Sequence, residues 1–334
     1  NLTPFNISAP VLAVPETVVA IAGNETQFEV LANDISGNTA LSLTAAGLPP
    51  AARFETVVSS NNSLRGKFRW TPAAGDAGRT FTVTFTASDG LASDTKLVNV
   101  RVVTAKPMAA VNSADFRAGG LAPDSLASLF GTDLAVRTEV ASDVPLPFEL
   151  SGTTVTVNGV RAQLVFVSPG QINFVVPANT VPGLATLVVS TPTGTYSVTS
   201  AQIVASVPAI FTKDNSGKGE ANALSTTDGV RFLTSPFDVL VNGRPNVLVL
   251  FGTGFRRAQA ANPNDGDGVA EAVTATIGGQ PARVLFAGAQ GGFSGLDQIN
   301  IELPAALAGG SRRFVDVVLS VNGDTANRVT IEIK

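Results

Sequence analysis

The stretch richest in potential metal ligands is Asn262-Pro263-Asn264-Asp265-Gly266-Asp267-Gly268. Carboxylate and amide oxygens at short spacing in a glycine-bearing loop are what a calcium ion coordinates. Asn262, Asn264, Asp265 and Asp267 are therefore the candidate metal ligands, and calcium the candidate ion. The EF-hand spacing fails, because Gly266 stands where the third side-chain oxygen belongs and no glutamate falls at the twelfth position. Asn, Asp and Gly also build ordinary solvated hairpin loops, which is the simpler reading of the same residues.

Other chemistry is bounded by absence. The 334 residues contain no His and no Cys. That removes Ser-His-Asp and Cys-His nucleophile systems and His/Cys zinc, haem and iron–sulfur sites. Asp, Glu and Ser are numerous, but no pair stands out at a spacing suited to two-carboxylate hydrolysis, so the chain reads as non-enzymatic. One Trp (Trp70) and one Tyr (Tyr196) supply little aromatic surface for stacking sugars. The net charge is −4, and the basic residues gather only into short pairs such as Arg256-Arg257 and Arg312-Arg313. A nucleic-acid partner needs a basic stripe and is not expected. No apolar run approaches the ~20 residues of a membrane span. Without cysteines an oxidising compartment is not required. The chain begins at Asn1 with no Met and no signal peptide, which reads as a mature or trimmed product from which any export signal has gone.

Three residues are candidate partner contacts. Phe5 and Ile7 fall on one face of an arm, residues 1–9 (NLTPFNISA), if it is extended. Such an arm can add a strand to a neighbouring molecule's sheet, or simply be a frayed end or the first strand of the next domain. Phe293 lies in a Gly-rich insertion, AGAQGGFSGLD (Ala287–Asp297). An apolar side chain on such a loop either anchors a partner or folds back over its own sheet.

The elements that carry these residues come from one stretch used twice. Val157, Gly159, Ala162 and Phe166 match Ile277, Gly279, Ala282 and Phe286 at an offset of 120 residues. Gln171 and Pro177 match Gln298 and Pro304 at an offset of 127, so the insertion lies between two strands of the second copy. Ile172, Phe174 and Val176 alternate with Gln171, Asn173 and Val175; Ile299, Ile301 and Leu303 alternate with Gln298, Asn300 and Glu302. Period two marks a half-buried strand. Asn158-Gly159 and Gly278-Gly279 supply the positive φ angles of tight hairpins, and each closing proline ends a ladder.

The whole chain exceeds one core. At 44% hydrophobic and 14% charged, with 32 Gly and 20 Pro, it reads as an all-β chain of many turns, divided into three tandem β-sandwich domains. They are placed at residues 10–104, 105–208 and 209–334, after the arm. The first contains strands at Thr17–Ala22, Thr26–Val30, Leu41–Ala45, Lys67–Trp70, Thr80–Ser88 and Lys96–Val103. Ala105–Ala109 reads as a linker, and Lys213–Gly229 as an exposed bridge. Trp70 reads as a core plug. Four N-x-S/T sequons fall at Asn1, Asn6, Asn24 and Asn61.

FRWTPAAGDAGRTFTVTFTASDG, Phe68–Gly90, resembles the Ig-like, cadherin-like domains of bacterial surface proteins, which space and adhere. Cadherin-type domains bind calcium at junctions, but Asp89 and Asp94 read here as turn residues. Phe251-Gly252-Thr253, Gly279-x-x-Ala282, Gln298-Ile299 and Pro304-Ala305 resemble the IPT/TIG type of Ig-like domain. The pair from about residue 110 onward is similar to a C-terminal domain family of secreted acidobacterial proteins. Asn112-x-Ala114, Ala122-Pro123, Phe130-Gly131-Thr132, Pro169-Gly170-Gln171-Ile172-Asn173 and Pro208-Ala209-Ile210-Phe211 carry that similarity. The resemblance implies three tandem Ig-like β-sandwich domains in an extracellular or cell-surface context. The expected function is structural: spacing, adhesion or self-assembly as a homo-oligomer or filament subunit. The alternatives are a calcium- or glycan-binding adhesion module that contacts other surface proteins, and the non-catalytic part of a larger secreted enzyme.

Overall fold

Alternation of apolar and polar residues is reproduced strand by strand. In Thr80–Ser88, Val83 and Phe85 are fully buried while Thr82, Thr84 and Thr86 face outward. The computed structural model describes residues 8–35, 41–60, 62–194, 196–256 and 273–334. Phe5, Ile7, Asn262, Asn264, Asp265 and Asp267 lie outside the described residues. The chain is all-β and is built from Ig-like sandwiches. It divides into two compact units, Asn1–Ala105 and Lys106–Lys334.

The first unit packs two four-stranded sheets face to face. One holds Val11–Ala13, Thr26–Asn33, Ser63–Trp70 and Arg53–Ser60; the other holds Thr17–Ile21, Ser93–Val103, Thr80–Ser88 and Ser42–Ala46. Val30 and Phe68 from one sheet meet Val83, Phe85, Val98 and Val100 from the other. Trp70 is 2% exposed, stacks edge-on against Phe81 and donates its Nε1–H to the Pro50 carbonyl at 3.0 Å. It plugs the core. Two strands go beyond the sequence reading: Val11–Ala13, which sits between prolines, and Arg53–Ser60, whose RFETVVSS lacks a clean two-residue alternation.

The second unit contains two further cores. The duplicated stretch has the same hydrogen-bond register in both. Phe130, Leu129 and Ser128 pair with Gln171, Ile172 and Asn173; Phe251, Leu250 and Val249 pair with Gln298, Ile299 and Asn300. A β-bulge falls between Leu164 and Phe166 and again between Val284 and Phe286. Each copy even repeats one side-chain bond: Gln171 Nε2 donates to Asn173 Oδ1 at 2.8 Å, and Gln298 Nε2 to Asn300 Oδ1 at 2.9 Å. The two hairpins close as expected, with φ of +49° and +81° at Asn158-Gly159 and +57° and +76° at Gly278-Gly279.

Two connections differ from the sequence reading. Ala105–Ala109 is no linker. It opens the strand Ala105–Asn112, which bonds Leu126–Gly131 on one side and Tyr196–Ile203 on the other. That strand ties both faces of the second sandwich into one nine-strand path. The bridge at Lys213–Gly229 contributes strands Gly219–Glu220 and Ala223–Thr226, with Ala221, Ala223 and Ser225 buried. Small residues alternating in a polar context pack against a neighbouring sheet without raising local hydrophobicity, so the stretch reads as loop.

Candidate functional site

Phe-Gly-Thr occurs twice, but its two threonines have opposite environments. Thr132 is exposed, whereas Thr253 is wholly buried. The Thr253 hydroxyl accepts the Leu126 amide at 2.7 Å and donates to the Gly295 carbonyl at 2.8 Å. Leu126 opens a strand of the second sandwich; Thr253 and Gly295 belong to the third. One hydroxyl thus joins the two sandwiches of this unit.

The insertion of the second copy is what makes this possible. Gly295, at φ +80°, lies so near the second sandwich that a Cβ would come within 2.7 Å of Leu126 Cγ and 3.3 Å of Val175 Cγ2. Next to it the Asp297 carboxylate, 0% exposed, accepts the amides of Phe255 at 2.8 Å and Arg256 at 3.0 Å. The Arg256 guanidinium closes the clamp by donating to Asp297 Oδ1 and to the Leu296 carbonyl at 2.6 Å. Burial pushes the Asp297 pKa up, and Arg256 and the two amides oppose that shift.

Asn112, Asn327 and Arg117 build the rest of the junction. Asn112 Nδ2 donates to the Val207 carbonyl at 3.0 Å while its Oδ1 accepts the Ala114 amide at 2.8 Å. The Val207 amide donates to the Gly254 carbonyl at 2.8 Å. Asn327 holds the connecting segment, accepting the Ile210 amide and donating to the Ile210 and Gly217 carbonyls. Arg117 donates to the Pro208 and Thr325 carbonyls and pairs with Asp115. A recess of about 340 Å³ opens beside Arg117, but these partners already occupy that guanidinium. A recess of about 270 Å³ in the first unit is lined by Glu25, Arg53, Glu55, Arg69 and the edge of Trp70. Because Trp70 is buried, its ring face is not offered to a sugar.

The polar groups of this junction hydrogen-bond one another. Among the described residues no group of three or more His, Cys, Asp or Glu side chains could hold a metal ion. Asp89 accepts the amides of Leu91 and Ala92, which hold its carboxyl below the usual range, and Asp94 accepts the Leu12 amide. Asp89 is a turn residue, whereas Asp94, expected in a turn, lies in the strand Ser93–Val103 opposite Ala87. Among the described residues no helix is long and apolar enough to cross a membrane.

Of the sequence-predicted contacts, Phe293 is described. It stands 72% exposed at the tip of the insertion, with Gln290 Oε1 accepting the Gly292 and Phe293 amides at 2.8 and 3.2 Å. Its side chain does not fold back over the sheet, while Gly295, two residues on, is welded into the junction. Sequence reasoning missed a second apolar prominence, the hairpin Thr226–Leu233. Asp228 Oδ1 accepts the amides of Val230 and Arg231, and Val230, Phe232 and Leu233 point into solvent. The apolar run Val-Arg-Phe-Leu inside a Gly/Asp-rich bridge was its signal.

Residues 7–101 match the family described as Bacterial Ig domain. No curated protein sequence matches the chain. Among solved structures, the chain is similar to SGBP-B of the Bacteroides ovatus mixed-linkage glucan utilization locus, solved with a mixed-linkage heptasaccharide. There the identity is 11% and the TM-score 0.30, over 98% of this chain and 70% of that one. It is also similar to the sialic acid binding region of a Streptococcus sanguinis adhesin, with 11% identity, TM-score 0.26, and 98% and 78% of the two chains covered. A third similarity is to titin domains I67–I69, at 10% identity and TM-score 0.24, over 98% and 99% of the two chains.

Proposed function

We propose that this chain is a non-catalytic, exported Ig-like module that spaces and adheres at a cell surface and self-associates through apolar contacts. The observation that carries the reading is Phe293, displayed 72% exposed on a loop whose base is clamped by Thr253, Asp297 and Arg256. An apolar side chain held out on a rigid mount has little ordering entropy left to lose, which is what a contact anchor requires. The hairpin bearing Val230 and Phe232 is held by a local turn, with Asp228 Oδ1 accepting the Val230 and Arg231 amides. The polar junction between the sandwiches is by contrast internally saturated, so it is a structural weld rather than a binding site.

The identical registers of the two copies support reading the second unit as a tandem IPT/TIG-like pair with its boundary near residue 208, as in the acidobacterial family. The arm with Phe5 and Ile7 is part of the same proposal, as a second contact. The test is light scattering and electron microscopy of the full chain across a concentration series. Concentration-dependent oligomers or filaments that weaken in Phe293→Ala are expected; particles that stay monomeric at every concentration would overturn the reading.

A further inference from the structure

We infer that the first unit carries a binding site for a carboxylate-bearing sugar, with Arg53 and Arg69 gripping the carboxylate and Glu25 and Glu55 accepting hydrogen bonds from the hydroxyls. The site lies on the outer face of the sheet that holds Thr26–Asn33, Ser63–Trp70 and Arg53–Ser60, and it is independent of the apolar contacts proposed above. Strand register fixes which charges meet there. Glu29, Lys67 and Glu55 form one row across the three strands, so that cation has an acid on each side. Two residues along, the row is Gln27, Arg69 and Arg53. Two cations thus stand directly opposite each other, with Cβ atoms about 4.5–5.5 Å apart, an arrangement that destabilises a sheet. Both are exposed, and among the described residues neither has an ion-pair partner, whereas Arg65 on the same strand pairs with Glu29 at 3.4 Å. An anion between the two guanidiniums removes the repulsion, and their planar forks match the geometry of a carboxylate.

The surroundings narrow the ligand. Glu25, Glu55, Thr71 and the edge of Trp70 complete the recess of about 270 Å³ that holds both arginines. Pockets for drug-sized molecules measure about 300–1,000 Å³, so this one takes a single ring rather than a chain. Two carboxylates beside the two guanidiniums repel a polyanion, yet they accept hydrogen bonds from hydroxyl groups. One negative charge surrounded by hydroxyls describes an acidic sugar. The mount is rigid. On the inner face Phe28, Phe68 and Phe54 form the row between the two charged ones, with the Phe28 and Phe68 rings stacked at 4.6 Å. Trp70 Nε1 donates to the Pro50 carbonyl at 3.0 Å, which ties down the turn leading into Arg53. In that turn Ala51 takes φ +65°, a strained conformation for a residue other than glycine and one that recurs at ligand clamps. The strands of this sheet that adjoin residues 1–7, 36–40 and 61 meet at its other end. There Asn33 lies between Val11 and Ser63, about 20 Å from the arginines.

Calorimetric titration of the full chain is the test. Glucuronate and N-acetylneuraminate are the acidic sugars, which differ in how the carboxylate is attached; glucose, acetate, N-acetylglycine and inorganic phosphate are the controls. The acidic sugars are expected to bind more tightly than acetate, and glucose and phosphate to give only the heat of dilution. Arg53→Gln and Arg69→Gln should each weaken binding of the acidic sugars at least about tenfold. Their Tm should stay level or rise, because each removes a like-charge contact. Glu55→Ala should weaken the sugars without weakening acetate. Phosphate or N-acetylglycine binding as tightly as the acidic sugars would make this a plain anion or peptide-terminus site and overturn the inference. Acidic sugars that do not bind, or that bind both arginine variants as they bind the parent, would overturn it as well. So would a Tm that falls in both arginine variants, since the pair would then serve the sheet rather than a ligand. None of these outcomes bears on self-association through Phe293.

Discussion

Replacing Thr253 with valine keeps the shape and removes the hydroxyl that joins the two sandwiches of the second unit. Two groups lose their partner: the Gly295 carbonyl, which is buried, and the Leu126 amide, which is partly buried. A buried polar group left unsatisfied costs about 1–3 kcal/mol, and a partly wetted one costs less. The expected loss is roughly 2–4 kcal/mol. For a unit of this size, that corresponds to a fall in Tm of about 4–16 °C. Calorimetry of the full chain should also change in form. The two sandwiches melt together while the weld is intact and separate into two transitions when it is broken, with faster amide exchange at Leu126. The duplication supplies the control, since Thr132 occupies the same Phe-Gly-Thr position in the first copy but is exposed. Thr132→Val should lie within about 0.5 kcal/mol of the parent. Equal small effects from the two substitutions would refute the idea that the second copy's threonine is an inter-sandwich clamp.

Gly254→Ala should be more damaging than Gly295→Ala, because at φ +85° its new methyl would strike the Val207 carbonyl, a backbone atom, rather than a side chain that can move; urea melts would rank them. Acid should destabilise the fold. Backbone and hydroxyl hydrogen bonds hold Asp89, Asp214 and Asp228 below the ordinary carboxylate range, and the Ser151 hydroxyl does the same for Glu139. For such groups the stability is present above the unfolded pKa and is lost as pH falls through the folded one. Asp297 has the opposite sign, because burial raises its pKa. Tm measured from pH 6 down to 2.5 should therefore fall below about pH 4, and a Tm that climbs on acidification would contradict the assignment. Calcium against chelator should leave Tm unchanged if Asn262–Gly268 is a solvated loop; a rise would assign calcium to Asn262, Asn264, Asp265 and Asp267.

Most of the architecture is legible in the sequence because period-two alternation and the Asn-Gly and Gly-Gly hairpins are local signals. The doubled Gln-Ile-Asn strand predicts its own faces correctly except at one residue. Alternation points Val175 outward with Gln171 and Asn173, yet it is 6% exposed. The cause is not local: the insertion of the other copy lies over it through Gly295. The clue is a mismatch between copies, Val175 against Glu302, an apolar residue on a face its duplicate keeps polar. The same non-locality hides the junction. Asn112 and Thr253 stand out in the sequence only as motif residues and Asn327 not at all, and only long-range pairing shows that they bridge. Deleting the insertion would take Gly295 and Asp297 out of the weld. Phe293→Ala is the substitution that tests its tip without opening its base.

The Val175–Glu302 contrast also separates a tandem repeat from a welded pair. If the sandwiches were merely strung together, a carboxylate at either position would face water, and exchanging the two residues would change little. Instead Val175→Glu would put a carboxylate at a 6% exposed position beneath Gly295; the cation lining the recess beside it, Arg161, is a solvent-exposed side chain, so most of the several kcal/mol cost of burying the charge remains. The reverse change, Glu302→Val, touches a half-buried strand position and removes a 3.6 Å ion pair with Arg283, which is worth at most about 1 kcal/mol. Urea unfolding of the two variants should therefore be strongly unequal, with Val175→Glu splitting the unit's transition as Thr253→Val does. Comparable midpoints would mean that the covering of Val175 contributes nothing to holding the sandwiches together, and that the rigid mount assigned to Phe293 is absent in solution.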